Sequence, residues 1–175
     1  PMTAGGDAIY VHQGTSGTIG SPKLVPSSHA DFAARWKPVF TRMPPIREPR
    51  MMCTIGAGGG PSFPYTIKIL EAKGSVVVAG SPEGFLSALE RHRVSILLTN
   101  PFGAQGIVAS MPAGAPRPPS LELVVLTGAR VTSAMAHLVT DRLCTNVVSS
   151  YASTEAGPIA AGPVSQVASI EGAGL

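Results

Sequence analysis

The chain has 175 residues, enough for one domain with a buried core, and its 44% hydrophobic and 13% charged content, at a mean hydropathy of +0.25, suits a globular piece of something larger whose surfaces meet other protein. A net charge of +3 with 5% aromatics and no nucleic-acid motif argues against a nucleic-acid binder, and the basic cluster Arg35, Lys37, Arg42, Arg47 and Arg50, near only Asp31 and Glu48, reads as a solvated helix and loop. Cys53 and Cys144 lack Cys-x-x-Cys spacing and read as buried free thiols, while His12, His29, His92 and His137 show no ligand-like spacing, which argues against a zinc site.

Pro1 to Tyr10 lacks the charged and apolar regions of a signal peptide, and no uninterrupted apolar run approaches the roughly 18 residues of a membrane span. The expectation is a soluble, cytoplasmic protein. Residues 8–12 (AIYVH) predict a strand. The stretch Gln13 to Val25 (QGTSGTIGSPKLV) is too glycine-rich for the interior of a helix or strand. Phe32, Trp36, Val39 and Phe40 then recur at helical spacing, in a helix that Ser28 and Asp31 begin and Pro38 is expected to shorten or kink. Residues 75–79 and 94–99 predict strands, separated by a helix that starts at Ser81-Pro82-Glu83 and buries Phe85, Leu86 and Leu89. The proline-rich stretch 112–120 is an exposed connection, 122–127 and 145–150 are strands, and a helix over 132–143 shares Met135, Leu138, Val139 and Leu143 on one face. From Gly157 onward the residues are small, without clear periodicity. Strands alternating with helices predict an α/β fold whose largely parallel sheet is flanked by helices.

The glycine-rich stretch poses the functional question. Glycine lets backbone N–H groups approach an anion closely, and Thr15, Ser16 and Thr18 add hydroxyl donors, but the same composition also suits a polar hairpin turn. The Walker pattern fails because neither Gly14 nor Gly17 has a Gly-Lys pair at the required offset. The dinucleotide pattern fails here and at 56–61 (GAGGGP), where Pro61 falls on the last glycine. Thr18 spoils a Gly-x-Ser-x-Gly elbow around Ser16.

One family pattern does fit. Residues 15–23 (TSGTIGSPK) closely resemble the Thr-Ser-Gly-Thr-Thr-Gly-x-Pro-Lys signature of the AMP-forming, adenylate-forming superfamily, which holds acyl-CoA synthetases, luciferases and adenylation domains. Ile19 replaces a common Thr, and Leu24 stands where Gly often follows. In the right order, 126–135 (LTGARVTSAM) is similar to the family's Gly-Gly-Glu/Ala-Pro-Leu segment, and Tyr151-Ala152-Ser153-Thr154-Glu155 to its Tyr-Gly-x-Thr-Glu motif. The resemblance covers essentially the whole chain and implies part of the large nucleotide-binding N-terminal domain over 1–175, with the C-terminal catalytic domain absent. No Asp follows Asp141 to match the family's ribose-binding residue, and the C-terminal lysine has no match either.

The resemblance implies a ligase that attacks the α-phosphorus of ATP with a carboxylate and passes the acyl group to CoA, using Mg²⁺. Thr15, Ser16, Gly17, Thr18 and Gly20 would cradle the β- and γ-phosphates, and Lys23 would add a positive charge. Thr154 would bond the α-phosphate and Glu155 would hold Mg²⁺. Tyr151 would offer a face to adenine, whose other edge the backbone of Gly128, Ala129 and Arg130 would line. The plainer alternatives are an ordinary exposed lysine at Lys23, a first-turn helix acid at Glu155, a core aromatic at Tyr151 and a first-turn helix residue at His29. Amino-acid-activating relatives pair the substrate ammonium with an Asp near 53–63, but this sequence has none between Asp31 and Asp141. An aryl or fatty carboxylic acid therefore fits better. The expected partners are that acid and the remainder of the parent enzyme. The competing expectation is a non-catalytic anion- or nucleotide-binding fragment, or a degenerate module that keeps the fold without turnover.

Overall fold

The computed structural model describes residues 7–14, 21, 23–55, 62–78 and 84–166. The chain opens with an antiparallel hairpin, β1 (Ile9–Gly14) and β2 (Leu24–Ser28), followed directly by α1 (His29–Phe40). Then come β3 (Arg50–Cys53), α2 (Ser62–Glu71), β4 (Ser75–Val78), α3 (Phe85–Arg91), β5 (Ile96–Thr99) and α4 (Pro101–Ser110). The chain continues through β6 (Leu123–Thr127), α5 (Ser133–Arg142), β7 (Val147–Ser153) and β8 (Gly157–Pro163). Strands β3 to β8 form one sheet in the order β4-β3-β5-β6-β7-β8, parallel except for the antiparallel edge strand β8. The expected α/β fold with a largely parallel sheet flanked by helices is what the chain adopts.

The central strands are buried on both faces, which is why they read as unbroken apolar runs: every residue of β5 and β6 is buried. Alternation sends Leu97, Val124 and Leu126 toward α3, α4 and α5, where they pack with Leu89, Ile107 and Val139. It sends Ile96, Leu98, Leu123 and Val125 to the other face, under Trp36 of α1 and Tyr65 and Ile69 of α2. Local caps start the helices. Ser28 Oγ accepts from Asp31 N at 3.1 Å, Asn100 Oδ1 from Gly103 N at 2.8 Å, and Thr132 Oγ1 from Met135 N at 3.3 Å.

Helix α1 runs two residues past Pro38 and then ends. Elsewhere the elements go beyond the sequence reading. The helix start expected at Ser81-Pro82-Glu83 lies outside the described residues, and Gly84 is the N-cap of α3. The segment from Gly157, which lacks periodicity, is strand β8, held by pairing Tyr151 with Ala160 and Ser149 with Gly162 rather than by apolar alternation. Strands β2 and β3 and helices α2 and α4 were not foreseen.

Candidate functional site

The C-terminal edge of the parallel sheet gathers the motif residues, as the geometry of open α/β sheets requires. Three neighbouring strands end in threonine: Thr54 follows β3, Thr99 closes β5 and Thr127 closes β6. Thr54 Oγ1 and Thr99 Oγ1 are 2.6 Å apart and share a hydrogen bond. Thr127 pairs in register with Ser150 of β7, so Gly128 and Tyr151 leave the two strand ends side by side. Gly128 has φ +80, a left-handed conformation that favours glycine, and a Cβ added there would meet nothing within 4 Å. Ala129 and Arg130 are exposed beside it, and Tyr151 is 64% exposed. The result is an open shelf of backbone with an aromatic ring at its border. An exposed Tyr151 is not a core aromatic, so that plainer alternative is overturned.

Under the shelf lies an unusual atom. Thr127 is 1% exposed, and its Oγ1 has no hydrogen-bond partner, whereas Ser150 Oγ, on the neighbouring strand, accepts from Tyr65 Oη at 3.3 Å. A buried hydroxyl without a partner costs free energy, and such groups gather where a ligand completes them. Sequence reasoning missed Thr127. The repeated strand-final Thr was the available signal.

Strand β7 continues three residues beyond Ser150 into a turn toward β8, and this turn carries Thr154, half-buried, and Glu155, exposed. The turn is fixed in two ways: Ser153 Oγ accepts from Ala156 N at 3.0 Å, and Arg35 Nη1 donates to the Glu155 carbonyl at 3.0 Å. Glu155 therefore does not sit in a helical first turn, which removes that alternative. Among the described residues no group of three or more His, Cys, Asp or Glu could hold a metal alone.

The hairpin of β1 and β2 lies near the same edge. The ring of Tyr10 of β1 lies 4.2 Å from that of His29, tilted to it, and 6.1 Å from Phe63 in the first turn of α2. Gly14 pairs with Leu24, which leaves the exposed Lys23 one residue beyond the last pair. Thr15, Ser16, Gly17, Thr18 and Gly20 lie outside the described residues. No helix among the described residues is long and apolar enough to cross a membrane. Cys53 and Cys144 are buried and unbridged, and burial pushes both thiols up from their ordinary range.

Known proteins share this arrangement of elements. Enterobactin synthase component E of Escherichia coli (strain K12) is 27% identical over 136 residues, 74% of this chain and 25% of that protein. Unliganded O-succinylbenzoate coenzyme A synthetase (MenE) from Bacillus subtilis superposes with a TM-score of 0.76 at 15% identity, covering 94% of this chain and 34% of its own. ATP-bound MatB from Rhodopseudomonas palustris superposes at 0.77 with 17% identity, covering 93% and 32%. The chain thus spans a quarter to a third of the length of these proteins, and the two structures establish the likeness of fold. Residues 2–174 match the family described as AMP-binding enzyme, and the chain belongs to that family.

Proposed function

We propose that residues 1–175 are the nucleotide-binding part of the N-terminal domain of an ATP-dependent acid–thiol ligase, one that activates a small aryl or fatty carboxylic acid as its adenylate and hands the acyl group to CoA. The observation that carries this reading is the open shelf at the paired ends of β6 and β7, with space above Gly128, the exposed Tyr151 at its border and the orphaned Thr127 hydroxyl beneath. A flat base stacks on an aromatic face, and a bound ligand would supply what Thr127 lacks.

In this reading Tyr151 borders adenine and the backbone of Gly128, Ala129 and Arg130 lines its other edge. Thr154 bonds the α-phosphate through its hydroxyl. Thr15, Ser16, Gly17, Thr18 and Gly20 cradle the outer phosphates, with Lys23 adding charge from the hairpin root. Glu155 fits as a magnesium ligand in the manner that ion prefers, one carboxylate sharing it with nucleotide phosphates. When bound, Mg²⁺ neutralises charge on the phosphates as the carboxylate approaches. The chain's own task is positioning: Arg35 fixes the Glu155 turn relative to α1, and α1 follows directly from the hairpin that bears the phosphate-loop residues. A second reading, a nucleotide-binding module without turnover, is favoured by one observation, that Ile19 stands in the phosphate-loop signature where the family commonly has Thr.

The test is acid-dependent exchange of pyrophosphate into ATP by the full-length protein over a panel of aryl and fatty acids. The 175 residues by themselves are expected to release no AMP with ATP, Mg²⁺, CoA and the same acids. Nucleotide binding without exchange in the full-length protein would favour the second reading.

A further inference from the structure

Strand β7 loses one of its neighbours just as it reaches the shelf. Its pairing with β6 ends at Thr127 with Ser150, and the next residue, Tyr151, is paired with Ala160 of β8 and has no register partner in β6. The register between β7 and β8 then shifts between Tyr151 and Ala152. A strand laddered on one edge and followed by an irregular step has lost much of what fixes its direction. A side-chain bond from another layer arrives at that point: Tyr65 Oη of α2 donates to Ser150 Oγ at 3.3 Å.

The donor is rigidly held. Tyr65 is buried, and its ring makes edge-to-face contacts with Trp36 at 5.7 Å and 74° and with Phe40 at 5.7 Å and 86°, while those two rings stack on each other at 5.9 Å. Packing of this kind fixes the plane of a ring, so the hydroxyl stays where α1 and α2 put it. Both supporting rings belong to α1, and Arg35, beside Trp36, holds the Glu155 carbonyl. Helix α1 thus grips the segment 150–155 at its two ends, directly at Glu155 and through Tyr65 at Ser150, with Tyr151 and Thr154 between the grips. Tyr151 has little packing of its own to hold it, being 64% exposed. The Thr127 hydroxyl, without a hydrogen-bond partner, adds no tie across the strand ends.

We propose that Tyr65 is a positioning residue for the nucleotide: its hydroxyl fixes Ser150, and through it the stretch of backbone that aims the Tyr151 ring at adenine. The proposal rests on reading the shelf as the nucleotide site. Tyr65 acts through Ser150 and Tyr151 rather than by contact, and what it spares the bound state is the cost of ordering an exposed ring. Loss of the bond therefore weakens ATP itself, before any chemistry.

The experiment is calorimetric titration of the full-length protein with ATP and Mg²⁺, alongside thermal unfolding, for Tyr65→Phe, for the pair Tyr65→Phe with Ser150→Ala, for Tyr151→Ala, and for that pair in the Tyr151→Ala background. Tyr65→Phe strands the buried Ser150 hydroxyl and lowers the thermal midpoint, whereas the pair removes both ends of the bond and keeps most of the stability. The expected result is ATP affinity reduced about fivefold in both, whatever their stability, with no further loss from the pair in the Tyr151→Ala background. Unchanged affinity in the pair, a loss in Tyr65→Phe that the pair restores together with stability, or an equal loss with and without the Tyr151 ring overturns the proposal, since each would make Tyr65 a structural residue only. Tyr151→Ala by itself separates the proposal from the reading beneath it. If it leaves ATP affinity unchanged, the shelf reading fails and the proposal with it. If it weakens ATP while the pair does not, the shelf reading stands and the proposal alone falls.

Discussion

Arg35 and Glu155 are 120 residues apart in sequence, yet the Arg35 guanidinium donates to the Glu155 main-chain carbonyl at 3.0 Å. Gly157 completes the junction at φ +72, so close to the arginine stem that an added Cβ would stand 3.2 Å from Arg35 Cδ. The turn bearing Thr154 and Glu155 is thereby held against the helix that continues from the hairpin. Gly157→Ala is expected to cost about 1–2 kcal/mol in urea unfolding, because the left-handed backbone strains any residue with a Cβ. Combining it with Arg35→Ala removes the close contact and not the strain, so the double variant should remain less stable than Arg35→Ala alone. A neutral Gly157→Ala would show that the turn is not held in this conformation.

Thr127 and Ser150 are register partners with opposite hydrogen-bonding states, and that difference predicts opposite signs. Thr127→Val removes a buried hydroxyl that has no partner, so thermal stability should hold or rise by up to about 1 kcal/mol in the ligand-free protein. Ser150→Ala strands the buried Tyr65 hydroxyl and should cost about 1–2 kcal/mol. Equal destabilisation by both would contradict the account of the strand ends.

Burial raises the Cys53 and Cys144 thiols, and it raises the Tyr65 phenol as well. The folded state therefore keeps these protons to higher pH than the unfolded chain does. Their contribution to stability is fully present below the unfolded thiol value of about 8.5 and is lost as pH rises through the folded values. Unfolding free energy should accordingly decline above about pH 8.5, and Ellman's reagent should find both thiols slow until denaturant is added. Rapid labelling at pH 7 would be inconsistent with their burial.

The residues that were legible in sequence are those whose environment leaves a local trace. Strands β5, β6 and β7 sit at or near the middle of a parallel sheet, so Ile96 to Thr99 and Leu123 to Thr127 read as apolar runs between turn residues. Helix α5 was legible through the helical spacing of Met135, Leu138, Val139 and Leu143, of which Val139 and Leu143 are buried. Strand β3 escaped because Arg50-Met51-Met52-Cys53 has no β-branched residue, although three of its four residues are buried. Helix α4 carries Gly103 and Gly106, which mask its period, and only the Asn100-Pro101 start could have disclosed it. Strand β8 contains two glycines and two prolines and owes its form to pairing with β7.

For the site, the motifs located Gly128 and Tyr151, but their adjacency depends on the pairing of Thr127 with Ser150, which no local pattern encodes. The Arg35 link to Glu155 was hidden for the same reason, since Arg35 reads as one of several helix-surface cations until the fold brings β8 against α1.

The central claim is that the turn and shelf at the ends of β6 and β7 activate a carboxylate on ATP. Its most direct test compares pyrophosphate exchange and ATP binding in the full-length protein and its Glu155→Gln variant, with an acid that supports exchange. An interaction stronger in the transition state than in the ground state should show as a loss in kcat rather than in affinity. The account predicts exchange slowed by roughly a hundredfold or more, the scale of losing one charge-stabilising group, with ATP affinity changed by less than about tenfold. Exchange by Glu155→Gln at near the unmodified rate, or no exchange by the unmodified protein with any acid, would contradict it.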